Sequence, residues 1–178
     1  MLLTRDGNLV ERRVWLQASA ACRYALLLDH AYGGRGFEQS WVTGTSVKAR
    51  VAFYPSVAPL RALAVEPALV DGGAAESQLA ASEWREVGDR LAACPWTPLV
   101  PVVLPDVVIA HAEQGPKAIV DGQVFELVVQ PCDVWPLMAV TGGQAVLMMA
   151  EWDAERLRPL TVFPSGSDRV LWQRSILL

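Results

Sequence analysis

Few residues in this chain have the chemistry for catalysis or metal binding, and their spacing limits them further. There are two histidines, His30 and His111, and three cysteines, Cys22, Cys94 and Cys132. A closed zinc site takes about four Cys, His or carboxylate ligands converging in a tetrahedron. Asp29 and His30 are adjacent, so on a strand they point to opposite faces. His111 and Glu113 are two apart and share a face, which makes them the candidate metal-binding fragment. Two ligands do not make a site, since a closed site needs its full ligand set. No metal and no cofactor is expected.

Nucleophilic catalysis asks for a serine or cysteine, a base and an orienting acid. Ser165-Gly166-Ser167 lacks the flanking glycine frame of a nucleophile elbow. Cys94 falls where a helix ends, and the negative end of a helix dipole gives a thiolate no help. Gly33-Gly34-Arg35-Gly36 is glycine-rich, but no Gly-Lys-Ser/Thr follows it, and Gln39 stands where a dinucleotide fingerprint needs its third glycine. The acids Asp29, Asp106, Asp133, Glu151 and Glu155 fall at strand ends and turns, where solvated carboxylates are ordinary. Paired carboxylates for glycoside chemistry can lie far apart in sequence. A hydrolase with dispersed carboxylates is therefore the third reading, behind two binding readings, and no catalytic residue is assigned.

Binding chemistry has better candidates. Phe37 and Trp41 lie in the stretch that follows Arg35, and an exposed aromatic pair beside an arginine suits a protein-binding hot spot. Aromatic residues also pin loops onto cores. Lys48, Arg50 and Arg61 are the candidates for a basic surface. A protein that neutralises many phosphates concentrates positive charge. This chain has a net charge of −4 with its cations dispersed among acids, which disfavours nucleic acid as the partner.

Composition places these residues in a folded, apolar chain. Hydrophobic residues make up 52% and charged residues 19% of the 178, against about 25% charged in ordinary domains. That excess suggests apolar surface covered by a partner or by the rest of a longer protein. Three widely separated cysteines do not make a disulfide framework and point to the cytoplasm, each thiol serving as a small buried hydrophobe. The N-terminus lacks the apolar run of a signal peptide, and no stretch is long enough to span a membrane.

The elements follow from periodicity. Val47, Ala49, Val51 and Phe53 alternate with Lys48 and Arg50, predicting a half-buried strand that Pro55 ends. Arg13 to Gln17, Tyr24 to Asp29 and Leu60 to Val65 read as further strands, with Ala18 to Ala21 connecting the first two. Ala80, Trp84, Val87 and Leu91 form one stripe of a helix over Ala74 to Ala93, with Glu76, Glu83, Glu86, Asp89 and Arg90 largely off it. Trp96 to Pro105 carries Pro98, Pro101 and Pro105 and reads as an extended crossover or an edge strand. Asp121-Gly122 suits a type I′ hairpin between Ala118 to Val120 and Val124 to Val129. A second hairpin is predicted from Leu137 to Val140 and Ala145 to Trp152 around Thr141 to Gln144. After the turn Asp153 to Glu155 come strands over Arg156 to Phe163 and Val170 to Arg174. The fold class is α+β and predominantly antiparallel β. N-terminal strands (1–70) and a helix with its connection (71–96) precede a C-terminal meander (97–178) that curls into a small barrel or sandwich; the whole is either subdomains or one compact domain.

Three segments carry a family resemblance. They are Trp15-Leu16 with Tyr24 to Asp29; Phe53-Tyr54-Pro55-Ser56-Val57-Ala58-Pro59-Leu60-Arg61-Ala62-Leu63; and Glu151-Trp152-Asp153 with Leu157-Arg158-Pro159-Leu160. With Cys94-Pro95-Trp96, their order resembles the β-rich region outside the zinc motif of bacterial SWIM zinc-finger proteins, over roughly residues 12–162. The motif itself, Cys-x-Cys then Cys-x-His, is absent. The resemblance implies an accessory region without zinc, in multi-gene systems containing MoxR-type AAA+ ATPases and von Willebrand A domains. The leading reading is a non-catalytic protein-binding or scaffolding module of a larger bacterial assembly; the alternative is a nucleic-acid-associated module.

Overall fold

The computed structural model describes residues 1–18, 23–58, 60–70, 80–97 and 99–175 of the chain. It divides into two compact units, Met1–Gly73, which Ser175 joins, and Ala74–Arg174. The fold is α+β and antiparallel in the main, as its periodicities predict.

In the first unit, β1 (Leu2–Asp6), β2 (Leu9–Gln17) and β3 (Tyr24–Tyr32) form an antiparallel sheet in that order. β1 has no counterpart in the sequence reading. It is five residues long and half charged or polar, too short to show a period, and Gly7 in the left-handed region turns it into β2. β2 pairs with β3 along its whole length, Leu9 facing Tyr32 and Gln17 facing Tyr24. One face of this pair carries Val14, Ala25 and Leu27, which close a small core with Ala62 and the ring of Trp41. The linker Ala18 to Ala21 lies mostly outside the described residues.

β4 (Ser46–Phe53) and β5 (Ala62–Val70) form a separate two-stranded ribbon. β4 keeps the expected alternation but is not half-buried. Val51 and Phe53 are exposed, because a ribbon of two strands has no third layer to cover both faces. β5 runs five residues past the predicted Val65, through a bulge at Glu66, which takes a positive φ of 52°.

The second unit begins with α1 (Ala80–Ala93), so the helix belongs to the barrel that follows rather than to a separate connection. The strands are β6 (Val100–Ala112), β7 (Gly115–Val120), β8 (Gln123–Leu127), β9 (Ala145–Trp152), β10 (Arg156–Pro164) and the short β11 (Trp172–Gln173), with α2 (Pro131–Thr141) between β8 and β9. Pairing runs β6–β7–β8–β10–β9 and returns to β6, which closes a five-stranded barrel. Every pair in the ring is antiparallel except β8–β10. The barrel expectation is met, but two long-range pairings take it beyond a plain meander. This strand order, with a helix between the third and fourth strands, is that of an oligonucleotide/oligosaccharide-binding (OB) barrel. Val102, Leu104, Leu137, Met148 and Leu157 fill its core with no exposed surface. Trp84 of α1 stacks on Phe125 at 5.1 Å and meets Trp152 edge-on at 5.9 Å.

Two local readings are corrected. Leu137 to Val140 is the end of α2, not a strand. Asp133, Leu137 and Thr141 are its buried residues, four apart, and the two polar members hid that helical stripe. Pro131 starts the helix, where its missing N–H costs nothing. Gly142, predicted in a hairpin turn, is instead a left-handed C-cap whose N–H donates to the Met138 carbonyl. The Asp121-Gly122 turn forms as predicted, both residues at positive φ.

The proline-rich stretch enters β6, which lies between β7 and β9. Val100 to Leu104 pairs only with β9, while Val108 to Ala112 pairs with β7. The early half is thus locally an edge, which is where proline is tolerated. Pro101 and Val103 point their main-chain nitrogens the same way, and the Val103 N–H donates to Glu83 Oε2 at 3.1 Å. Glu83, placed off the helix stripe by periodicity, is 1% exposed for this reason.

Candidate functional site

The first unit carries the open surfaces. Residues directly opposite in an antiparallel pair share a face. Arg50 faces Val65 and Ala52 faces Leu63, while the Tyr54 N–H donates to the Arg61 carbonyl. Lys48, Arg50 and Arg61 therefore lie on one face of the ribbon with Tyr54, Leu63 and Val65. The Arg61 guanidinium sits 5.0 Å from the Tyr54 ring centre, and Arg50 meets Glu66 at 3.4 Å. Apolar exposure is high on both faces of the ribbon: Leu63, 54% exposed, and Val70 share this face, and Leu69, 72% exposed, and Phe53 lie on the other.

The other three candidates belong to the connection between β3 and β4. Arg12 of β2, 6% exposed, fixes it. Its Nε donates to Asp29 Oδ2 at 3.0 Å, Nη2 closes on the same oxygen and also donates to the Gln39 carbonyl at 2.7 Å, and the guanidinium stacks 4.1 Å over the Phe37 ring. Phe37 and Trp41 are half-buried, not an exposed pair; they pin the loop. Arg35 is exposed. It lines a cleft of about 860 Å³ whose walls are β3 from Leu27, the loop to Gln39, and β5 from Ala62 to Ala64.

β3 and β5 run in the same direction and touch through a single bridge, Leu26 to Arg61, where the Leu26 N–H donates to the Leu60 carbonyl at 2.7 Å. This direction sets the parity of β3. Its odd residues turn their main chain toward β2; Leu26, Leu28, His30 and Tyr32 turn theirs toward the cleft. Beyond the bridge no ladder joins the two strands among the described residues. Sequence reasoning missed this edge because edges are set by which strands pair. The signal for the ribbon was visible: Ala62, Leu63, Ala64 and Val65 put apolar residues on both faces at once.

In the barrel unit, His111 and Glu113 are exposed at the end of β6. The His111 ring stacks on Trp135 at 5.5 Å and 6° between planes, and no group of three or more His, Cys, Asp or Glu converges among the described residues. Two acids expected in solvent are buried. Glu151 is fully enclosed and accepts from Arg158 at 3.2 Å; Asp133 is 2% exposed. Arg174 donates to the Val128 carbonyl at 3.0 Å. Burial lowers its pKa, Arg158 adds to that, and Asp133 and Glu151 oppose it. Cys132 is exposed, not a buried hydrophobe; Cys94 is partly buried and both are free. Cys22 lies outside the described residues.

OB barrels bind along their second and third strands and the adjoining loops. Here Lys117 and Glu126 on that face pair with each other at 2.8 Å, Val124 projects between β7 and β8 at 64% exposure, and the flanking loops contain Glu113, Asp153 and Glu155. That surface offers neither a stacking aromatic nor net positive charge, the two elements of single-strand binding. Among the described residues, no helix is long and apolar enough to cross a membrane. Compared with known proteins, the chain matches no family model, no curated protein and no solved structure.

Proposed function

We propose that this chain is a non-catalytic protein-binding or scaffolding module of a larger cytoplasmic bacterial assembly, and that the β4–β5 ribbon is its binding surface. One observation carries the reading: large apolar side chains are exposed on both faces of one two-stranded element, Leu63, Val65 and Val70 on one and Phe53 and Leu69 on the other. Apolar exposure concentrated on an uncovered ribbon supports an interaction site there. The SWIM-like segment Phe53 to Leu63 spans the end of β4 and the start of β5, so the resemblance falls on the same element. It favours a partner from an AAA+ ATPase-containing system, by association only. Two of the five acids named for a hydrolase are engaged in holding structure, Asp29 by Arg12 and Glu151 by Arg158.

A photo-crosslinking residue placed at Leu69 in the native host tests this. A single crosslinked protein partner, lost on Leu63→Lys and not obtained from a probe at Val124, is the expected result. No crosslink at Leu69, or the same products from both positions, overturns it.

A second reading, a nucleic-acid-associated module, is favoured by one observation: Lys48, Arg50 and Arg61 share a face with Tyr54. It requires steeply salt-dependent binding of a labelled single-stranded oligonucleotide. No binding at low salt ends it.

A further inference from the structure

We infer that the cleft between β3 and β5 takes an extended peptide, which adds as a strand to the free edge of β3. The inference rests on the protein-binding reading and names the mode of binding within it. Three observations support it.

The first is main-chain chemistry. Leu28 and His30 turn their N–H and carbonyl groups into the cleft, and no strand pairs them among the described residues. Buried or not, such groups seek partners, and a strand supplies them at matched spacing. The charged side chains nearby have partners of their own: His30 lies 3.4 Å from Glu11. Asp29 is held by Arg12, and Arg35 and Glu38 on the loop are of opposite sign.

The second is size. A strand residue in a packed sheet occupies roughly 3.3 by 4.8 by 10 Å, so a cleft of about 860 Å³ takes about five residues. That is close to the six residues of β3 left beyond the bridge, from Leu27 to Tyr32.

The third is the contrast among edges. Exposed edges are usually guarded by charge, bulges or proline. β1, at one side of its sheet, carries Thr4, Arg5 and Asp6; β4 carries Lys48 and Arg50 beside a register shift. The edge of β3 carries Leu28, His30 and Tyr32 in unbroken register with β2 and has no proline. It is sheltered by the loop that Arg12 holds in place rather than guarded by its own sequence.

A strand seated there would run its alternate side chains along a cleft lined by Leu27, Ala31, Ala62 and Ala64, whose apolar character favours apolar groups. The test is selection of a phage-displayed random nonapeptide library on the full chain, followed by synthesis of the recovered peptides. We expect bulky apolar residues at alternate positions, and amide shifts at Leu28 and His30 on binding. His30→Pro removes a donor that faces the cleft and leaves the β2 ladder intact, so affinity should fall at least tenfold while His30→Ala binds as before. N-methylation of the peptide provides a readout that needs no variant to fold: methyl groups at alternate amides should abolish binding and those between should not. Equal sensitivity at every amide, unchanged binding to His30→Pro, or no enriched peptides overturns the inference. So does dimerisation of the free chain that His30→Pro abolishes, which would assign the edge to a second copy. Crosslinks from Leu69 that persist when peptide selection fails would leave the ribbon reading standing and remove only strand addition.

Discussion

The two units of this chain treat their polar groups and their edges in opposite ways. The barrel closes its ring of strands, encloses Glu151 and Asp133, and meets a lone edge N–H with Glu83. Among the described residues, the N-terminal unit leaves the outer edges of β1, β3, β4 and β5 without a ladder and exposes apolar side chains on a ribbon. One half spends its polar residues on architecture, and the other keeps main-chain and apolar surface available. Binding surface is therefore sought where structure is least complete, and not on the barrel face that the fold alone would suggest.

The largest effect expected from this contrast is in the barrel core. Leu104→Ala should cost about 2–5 kcal/mol, since the residue is fully buried and leaves a cavity. Leu69→Ala in the ribbon should change stability by less than about 0.5 kcal/mol. Thermal or urea unfolding of both variants checks this, and comparable losses would mean that the ribbon is structural. Next in size is Glu83→Ala, which strands the buried Val103 N–H and should cost about 1–3 kcal/mol. Glu83→Gln keeps an acceptor and should recover most of it; equal losses would break the assignment. The smallest effect is on titration. Lys117 holds the Glu126 carboxyl below its usual range through a hydrogen bond and charge. A carboxyl lowered on folding favours the folded chain above its unfolded pKa, and that contribution fades as pH falls through the folded value. Carbon-detected NMR should show Glu126 titrating at higher pH in Lys117→Met than in the parent chain.

Much of this arrangement was legible in residues 47 to 54, 80 to 91, 118 to 127 and 145 to 163, where period and turn chemistry are local. The strand over β4, the Asp121-Gly122 turn and the Trp84 stripe all follow from period and φ preference. What escaped was settled by distant partners. Burial of Glu83 depends on a strand 20 residues away with an unpaired donor. The helix over Pro131 to Thr141 was masked because Asp133 and Thr141 occupy two of its three inward positions. The candidate cations Lys48, Arg50 and Arg61 were named as residues, but their common face depends on how β4 pairs with β5. The cleft beside β3 could not be named at all, since it arises from two strands that meet once and part.

The start of β6 has a consequence for assembly. Pro101 contributes no donor toward the open side and Val103 has its own occupied by a side chain from α1. While α1 is docked, an incoming foreign segment finds nothing there to zip onto. The start of the barrel's first strand is therefore guarded against an added strand by a proline and by the docked helix.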